Sequence, residues 1–145
     1  MLLPITLTLG AACALLNMWL GIRCARIRMS ASTLHGDGGN ALLAKRMRAH
    51  ANFTEYVPMT LILFGLVELA TGASMWLWSA ALVLVVARIG HGFGMDADKP
   101  TIWRAGGALL TWAVMIGLAV TALYVAYDAT RAVPAPPAMA MIRQG

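Results

Sequence analysis

The chain has 145 residues, of which 60% are hydrophobic and 12% charged, with a mean hydropathy of +0.73 and a net charge of +5. A soluble domain of this length seldom has so few charges. Runs without any charge extend from Met1 to Ile22, from Leu69 to Ala87 and from Ala105 to Tyr127, each about long enough to cross a bilayer core of roughly 30 Å as a helix.

A fourth, shorter run, Tyr56 to Val67, reaches out to Phe53 and Ala70 if Glu55 and Glu68 face protein and not lipid. The expected fold is therefore an all-α membrane protein, a bundle of four transmembrane helices over residues 1–128. The helices are expected at about 2–27, 41–70, 75–95 and 100–127, with no room for a separate soluble domain. Nine of the eleven Lys and Arg residues (Arg23, Arg26, Arg28, Lys45, Arg46, Arg48, Arg88, Lys99, Arg104) fall at the same ends of these helices, and only Arg131 and Arg143 at the other. Cytoplasmic loops carry such an excess, which predicts loops 1–2 and 3–4 inside and both termini outside. The basic balance thus reports topology first, and a nucleic-acid partner is not expected.

Helix one, about Leu2 to Ile27, tolerates Pro4 in its first turn. Its positive charges follow the apolar run and none precedes it, so it reads as a retained helix and not a signal peptide. Cys13 and Cys24 lie about 16 Å apart along it, too far to bridge, and read as packing residues. Asn17 is the one amide in the apolar span and suits a bond to a neighbouring helix. Arg23 and Arg26, three apart, share a face; they either snorkel to headgroups or aim at the same pocket as helix two. Ser30 to Asn40 is a polar, glycine-rich loop. No strand precedes Gly36-Asp37-Gly38-Gly39 and no Lys-Ser/Thr follows it, so a nucleotide cradle is rejected.

Helix two, about Ala41 to Ala70, is too long for the bilayer alone, and its first turns project into water. Lys45, Arg48, Asn52, Glu55 and Met59 recur at spacings of three and four and share one face. A cation, an amide and a carboxylate stacked there suit a small zwitterion; Arg48 and Glu55 equally admit a plain ion pair across two turns. Pro58 predicts a kink just beyond this face. Glu68 is assigned no chemistry. The tight turn at Thr71 to Ser74 makes helices two and three antiparallel neighbours, with Trp76 and Trp78 at the outer interface.

Helix three, about Met75 to Met95, places Arg88, His91 and Met95 on one face. Pro100 suits the first turn of helix four, with Asp98 as its cap, and Trp103 and Arg104 follow at the inner interface. The small residues from Ala105 to Ala108 permit close backbone approach. Residues 129–145 form a Pro- and Ala-rich tail expected to be disordered.

The run Arg48-Ala49-His50-Ala51-Asn52-Phe53-Thr54-Glu55-Tyr56-Val57-Pro58 resembles the signature of the MAPEG family, the membrane-associated proteins in eicosanoid and glutathione metabolism. The four helices, the polar first loop and Ala87-Arg88-Ile89-Gly90-His91 are similar too, and the Gly36 to Gly39 loop resembles the bacterial branch. The resemblance covers about Leu2 to Tyr127. It implies a homotrimer in a bacterial inner membrane that binds glutathione as co-substrate between neighbouring subunits, near the cytoplasmic side. Within it, Arg48, Asn52, Glu55 and Tyr56 match glutathione-binding positions of helix two, and His50 falls where a further polar contact is often found. Arg88 and His91 match the polar face of helix three. Arg104 is the counterpart of the thiol-activating arginine, and Arg26, with Arg23 close behind, that of the first-helix contact. Met95 stands where several members place a tyrosine, and Thr101-Ile102-Trp103-Arg104-Ala105 does not closely copy the eicosanoid enzymes.

Glutathione carries two carboxylates and one ammonium, so its pocket needs several cations and a carboxylate. Arg48 with Arg26 or Arg88 suits the carboxylates, Glu55 the ammonium and Asn52 the γ-glutamyl end. A nearby Arg104 favours a thiolate over a thiol of pKa about 8.5. The thiolate would then attack a hydrophobic electrophile or a lipid hydroperoxide arriving from the bilayer. The expected function is a glutathione transferase or peroxidase whose partners are itself, membrane lipid and a hydrophobic small molecule; the alternative is a non-catalytic binding protein on the same scaffold. A transporter coupled through Glu55 ranks lower, because the surrounding cations keep that carboxyl ionised. No metal is expected, and a haem between His50 and His91 lacks a partner pattern.

Overall fold

A computed structural model of the protein describes residues 2–132. It contains four helices, α1 (Pro4–Ser30), α2 (Ala41–Thr71), α3 (Met75–Gly94) and α4 (Ile102–Ala132), and among the described residues no strand. All four are long and apolar enough to span a bilayer, so the chain is an all-α, four-helix, multi-pass membrane bundle. Residues 133–145, most of the expected tail, lie outside the described residues; residues 129–132 continue α4.

Local signals set the ends. Asn40 caps α2, its Oδ1 accepting from the Leu43 amide at 3.0 Å, as a short side-chain acceptor at this position does. Gly72 closes α2 with φ +79°, a conformation in which only a residue without a Cβ is unstrained. The expected Asp98 cap of α4 is corrected: Thr101 holds that place, its Oγ1 accepting from the Arg104 amide at 3.2 Å. The helix begins at Ile102, after Pro100. Asp98 instead takes the Lys45 ammonium at 2.6 Å. That cation keeps the Asp98 carboxyl below its ordinary range, but the carboxylate is exposed and the pair adds little stability.

The helices neighbour one another in the order α1, α2, α4, α3 around the bundle, with α2 and α3 also touching across it. Ile5, Leu9 and Cys13 of α1 recur every four residues and point inward, meeting Phe53, Val57, Phe64 and Val67 of α2 and Leu77, Ala81 and Leu84 of α3. Leu15, Met18, Leu66, Leu82 and Leu123 face outward. In a bilayer that is no defect, because lipid is as apolar as they are; close packing and polar contacts hold the helices together instead.

The α3–α4 seam shows such packing. A Cβ on Gly107 would stand 2.5 Å from the Ala87 carbonyl oxygen and 2.7 Å from the His91 Cβ, whereas one on Gly106 would meet nothing within 4 Å. The small residues at the start of α4 thus allow a close approach, and Gly107 makes it. Gly107→Ala is expected to cost about 2 kcal/mol, the usual scale of overpacking against atoms that cannot give way. Thermal unfolding in detergent checks this, with Gly106→Ala as a control that stays near the parent.

Candidate functional site

The end of the bundle where the cations gather is built around a polar cavity of about 410 Å³ between α2, α3 and α4. Arg48 and Asn52 line it from α2, His91 and Met95 from the end of α3, Pro100 and Thr101 from the turn, and Arg104 with Ala105 and Ala108 from α4. Four of the nine residues expected at the site (Arg48, Asn52, His91, Arg104) therefore share one recess.

Arg88 joins them from behind. It is buried at 2% exposure, donating from Nη2 to Asn52 Oδ1 at 2.9 Å and from Nη1 to Thr111 Oγ1 at 3.4 Å, with its guanidinium 5.5 Å from the Phe53 ring centroid. It has no carboxylate partner among the described residues, and its Nε is unbonded. A buried cation so placed fixes the Asn52 amide and leaves positive potential behind the cavity. Thr111, which also donates to the Gly107 carbonyl at 2.7 Å, was not singled out in the sequence; a hydroxyl one helical turn beyond Gly107 on a tight seam was the available signal.

His91 is held by the α4 backbone, its Nδ1 lying 2.9 Å from the Arg104 carbonyl oxygen. A carbonyl only accepts, so Nδ1 carries the hydrogen in neutral His91 and Nε2 is the bare nitrogen. Arg104 itself hydrogen-bonds only through its backbone among the described residues, which leaves the guanidinium exposed at the cavity mouth.

Arg48 and Glu55 pair with each other at 3.0 Å, with side chains 63% and 44% exposed. The plain ion pair open in the sequence is thus present in the single chain, and exposed pairs of this kind are weak enough to be exchanged for a ligand. Tyr56 stacks at a tilt on Trp112, centroids 6.2 Å apart, next to Glu55 in sequence but off the cavity lining.

His50 and Arg26 do not join this recess. His50 turns to α1, its Nε2 lying 2.8 Å from Asn17 Oδ1, and lines a separate groove of about 390 Å³ with Gly21, Cys24, Arg28 and Met47. Arg26 is exposed on α1. Arg23, its near-equal in the sequence, proves structural. It is buried, donates to the Gly92 carbonyl at 2.8 Å and to Asp96, and packs over Trp19 with its Cζ 4.7 Å from the ring centroid. Arg46 reaches the same Asp96 carboxylate at 3.1 Å. These contacts tie the turn before α4, whose Pro100 and Thr101 line the cavity, to α1 and α2.

The family model described as the MAPEG family matches residues 6–124. The inner membrane protein YecN of Escherichia coli strain K12 is 32% identical over 104 residues, covering 71% of this chain and 78% of that protein. YecN of Escherichia coli O6:H1 strain CFT073 shows the same identity and coverage.

Proposed function

We propose, from the premise that this chain belongs to the MAPEG family, that it binds glutathione in the polar cavity and uses the thiol as a transferase or peroxidase on hydrophobic substrates. One observation carries this reading: Arg48, Asn52, His91 and Arg104 meet in a cavity of about 410 Å³, a size typical of small-molecule sites. Two guanidiniums suit the tripeptide's carboxylates, and the Asn52 amide, oriented by Arg88, suits its polar backbone. Glu55 is one exchange of partners away from an ammonium.

A homotrimer accounts for the two residues that point elsewhere. His50 and Arg26 lie on the α1 side of the subunit, so they reach a tripeptide bound at the cavity only if it belongs to a neighbouring subunit. An apolar cavity of about 420 Å³, lined by Val86, Ile89, Gly90, Phe93 and Trp103, lies one residue along α4 from Arg104 and offers a hydrophobic co-substrate a place beside the bilayer. The cation bias supports a cytoplasmic position for loops 1–2 and 3–4, and the name of the Escherichia coli relative supports the inner membrane.

Calorimetric titration of glutathione into the purified, detergent-solubilised protein tests the reading. Binding is expected for the parent, and at least about tenfold weaker binding for Arg48→Ala, as the loss of a charge-assisted contact of about 1.5–3 kcal/mol predicts. Heat-free titration of the parent would sink the glutathione assignment and leave only a membrane scaffold.

A further inference from the structure

We propose that Arg88 is a positioning residue that makes the polar cavity a seat for a carboxylate. It holds the Asn52 oxygen from behind, presents the Asn52 amide hydrogens to the ligand, and touches no ligand itself. This rests on the glutathione reading above and names the group of the tripeptide that the cavity receives. A guanidinium has five donors and no acceptor. The Asn52 atom that meets Arg88 Nη2 at 2.9 Å is therefore the oxygen, and Nδ2 is turned away from Arg88. Nδ2 has no hydrogen-bond partner among the described residues, and it is not one of the sealed, unbonded atoms around it, which are Arg88 Nε and His91 Nε2. On a residue that lines the cavity, it is the open end of the amide.

Arg88 is itself locked. It is 2% exposed, and its Nη1 donates to Thr111 Oγ1 at 3.4 Å. That hydroxyl spends its hydrogen on the Gly107 carbonyl at 2.7 Å, so toward Arg88 it only accepts. The direction of the Asn52 amide is thus set from the α3–α4 seam, through a buried side chain, and not by the ligand.

The rest of the lining offers donors too. Arg48 and Arg104 bring guanidiniums. His91 commits Nδ1 to the Arg104 carbonyl and its Nε2 is sealed. Thr101 Oγ1 is taken up by the Arg104 amide and the Gly94 carbonyl, and Met95 has only a weakly accepting sulfur. Glu55 is not part of the lining. A recess equipped with open donors and cations fits a group that only accepts and carries negative charge, and opposes an ammonium. The tripeptide has two such groups, the glycyl carboxylate and the α-carboxylate of its γ-glutamyl residue.

Two analogues and an isosteric variant test this. Glutathione, an analogue amidated at the glycyl carboxylate and one lacking the γ-glutamyl α-carboxylate are titrated calorimetrically into the parent and into Asn52→Asp. The variant keeps the shape and gives Arg88 a counter-charge, so it should melt no lower than the parent, but it turns an accepting oxygen toward the cavity. The parent is expected to bind at least one analogue about tenfold more weakly than glutathione, the loss of one charge-assisted contact. Asn52→Asp is expected to bind glutathione at least about tenfold more weakly than the parent, and one analogue's penalty should disappear; that analogue marks the seated carboxylate. Unchanged or tighter glutathione binding by Asn52→Asp, or penalties that persist in it, overturns the proposal while leaving the glutathione site intact. No binding of glutathione to the parent overturns the site, and the proposal with it. A double-mutant cycle isolates Arg88. Arg88→Met should weaken glutathione binding about tenfold in the parent and less than about twofold in Asn52→Ala, because Arg88 acts through the amide. An equal loss in both backgrounds would make Arg88 a ligand contact and overturn the positioning role.

Discussion

Glu68→Ala is expected to lower the melting temperature of the detergent-solubilised protein by roughly 10 °C, at about 3 °C per kcal/mol for a chain of this size. The carboxylate is 1% exposed and lies at the far end of α2 from the cavity. Its Oε1 accepts from the Ile5 amide at 2.9 Å, and its Oε2 from the Thr6 amide at 2.8 Å and the Thr6 hydroxyl at 2.6 Å. These are first-turn groups of α1, where backbone donors lack intrahelical partners and the helix dipole favours an anion. Leu3, at the capping position, offers no side-chain bond of its own, so the neighbouring α2 caps α1.

Removing the carboxylate strands three donors at once. A buried donor left unpaired costs about 1–3 kcal/mol, so a total of about 3–4 kcal/mol is expected even if water reaches part of the gap. Glu68→Gln keeps one accepting oxygen but turns an amide donor toward donors, so it should recover less than half of the loss. Because Glu68 and Asn52 are about 24 Å apart along α2, glutathione affinity measured well below the transition should stay within about twofold. Parent-like melting of Glu68→Ala would mean that α1 is held by packing alone.

The bundle was legible because lipid imposes a coarse constraint: uncharged runs of sufficient length have to be helices, and their cation-rich ends mark one side. The polar face of α2 was legible too, since Arg48, Asn52 and Glu55 at spacings of four and three do share a face, and Arg48 and Glu55 even pair. His50 came from the resemblance and not from periodicity. Two residues from both Arg48 and Asn52, it lies about 200° around the helix from each, and it turns to Asn17. Arg23 and Arg26 are only about 60° apart on α1, so spacing could not say which lies inside. Trp19 and Phe93 decide it by stacking, with ring centroids 5.1 Å apart, and taking the Arg23 guanidinium against them. Glu68 left one trace in the sequence: a helix starting at Leu3-Pro4 without a capping side chain, and a carboxylate near the same bilayer face with nothing local to bind.

Asp96→Ala is expected to damage stability and glutathione binding together, which separates it from Glu68→Ala. Asp96 receives Arg23 from α1 and Arg46 from α2, and the Lys45 ammonium reaches its backbone carbonyl at 3.4 Å. The Arg23 side chain is 10% exposed, so without Asp96 a buried guanidinium keeps the Gly92 carbonyl and loses its counter-charge. Breaking a buried pair from one side costs about 3–5 kcal/mol; the Asp96 carboxylate is 28% exposed, which brings the expected loss to about 2–3 kcal/mol. The carboxylate also pins the turn between α3 and α4, where Met95, Pro100 and Thr101 line the cavity and Thr101 clasps the Gly94 carbonyl at 3.3 Å. Releasing that turn loosens the start of α4, and with it Arg104 and the carbonyl that orients His91. Glutathione should then bind at least about fivefold more weakly, equivalent to about 1 kcal/mol of lost preorganisation. Asp96→Asn, which keeps the shape and one accepting oxygen without the charge, should hold the affinity better than the stability. If Asp96→Ala melts early yet binds glutathione like the parent, the ionic cluster serves the bundle only, and α4 is positioned by the Gly94 and Gly107 seam alone.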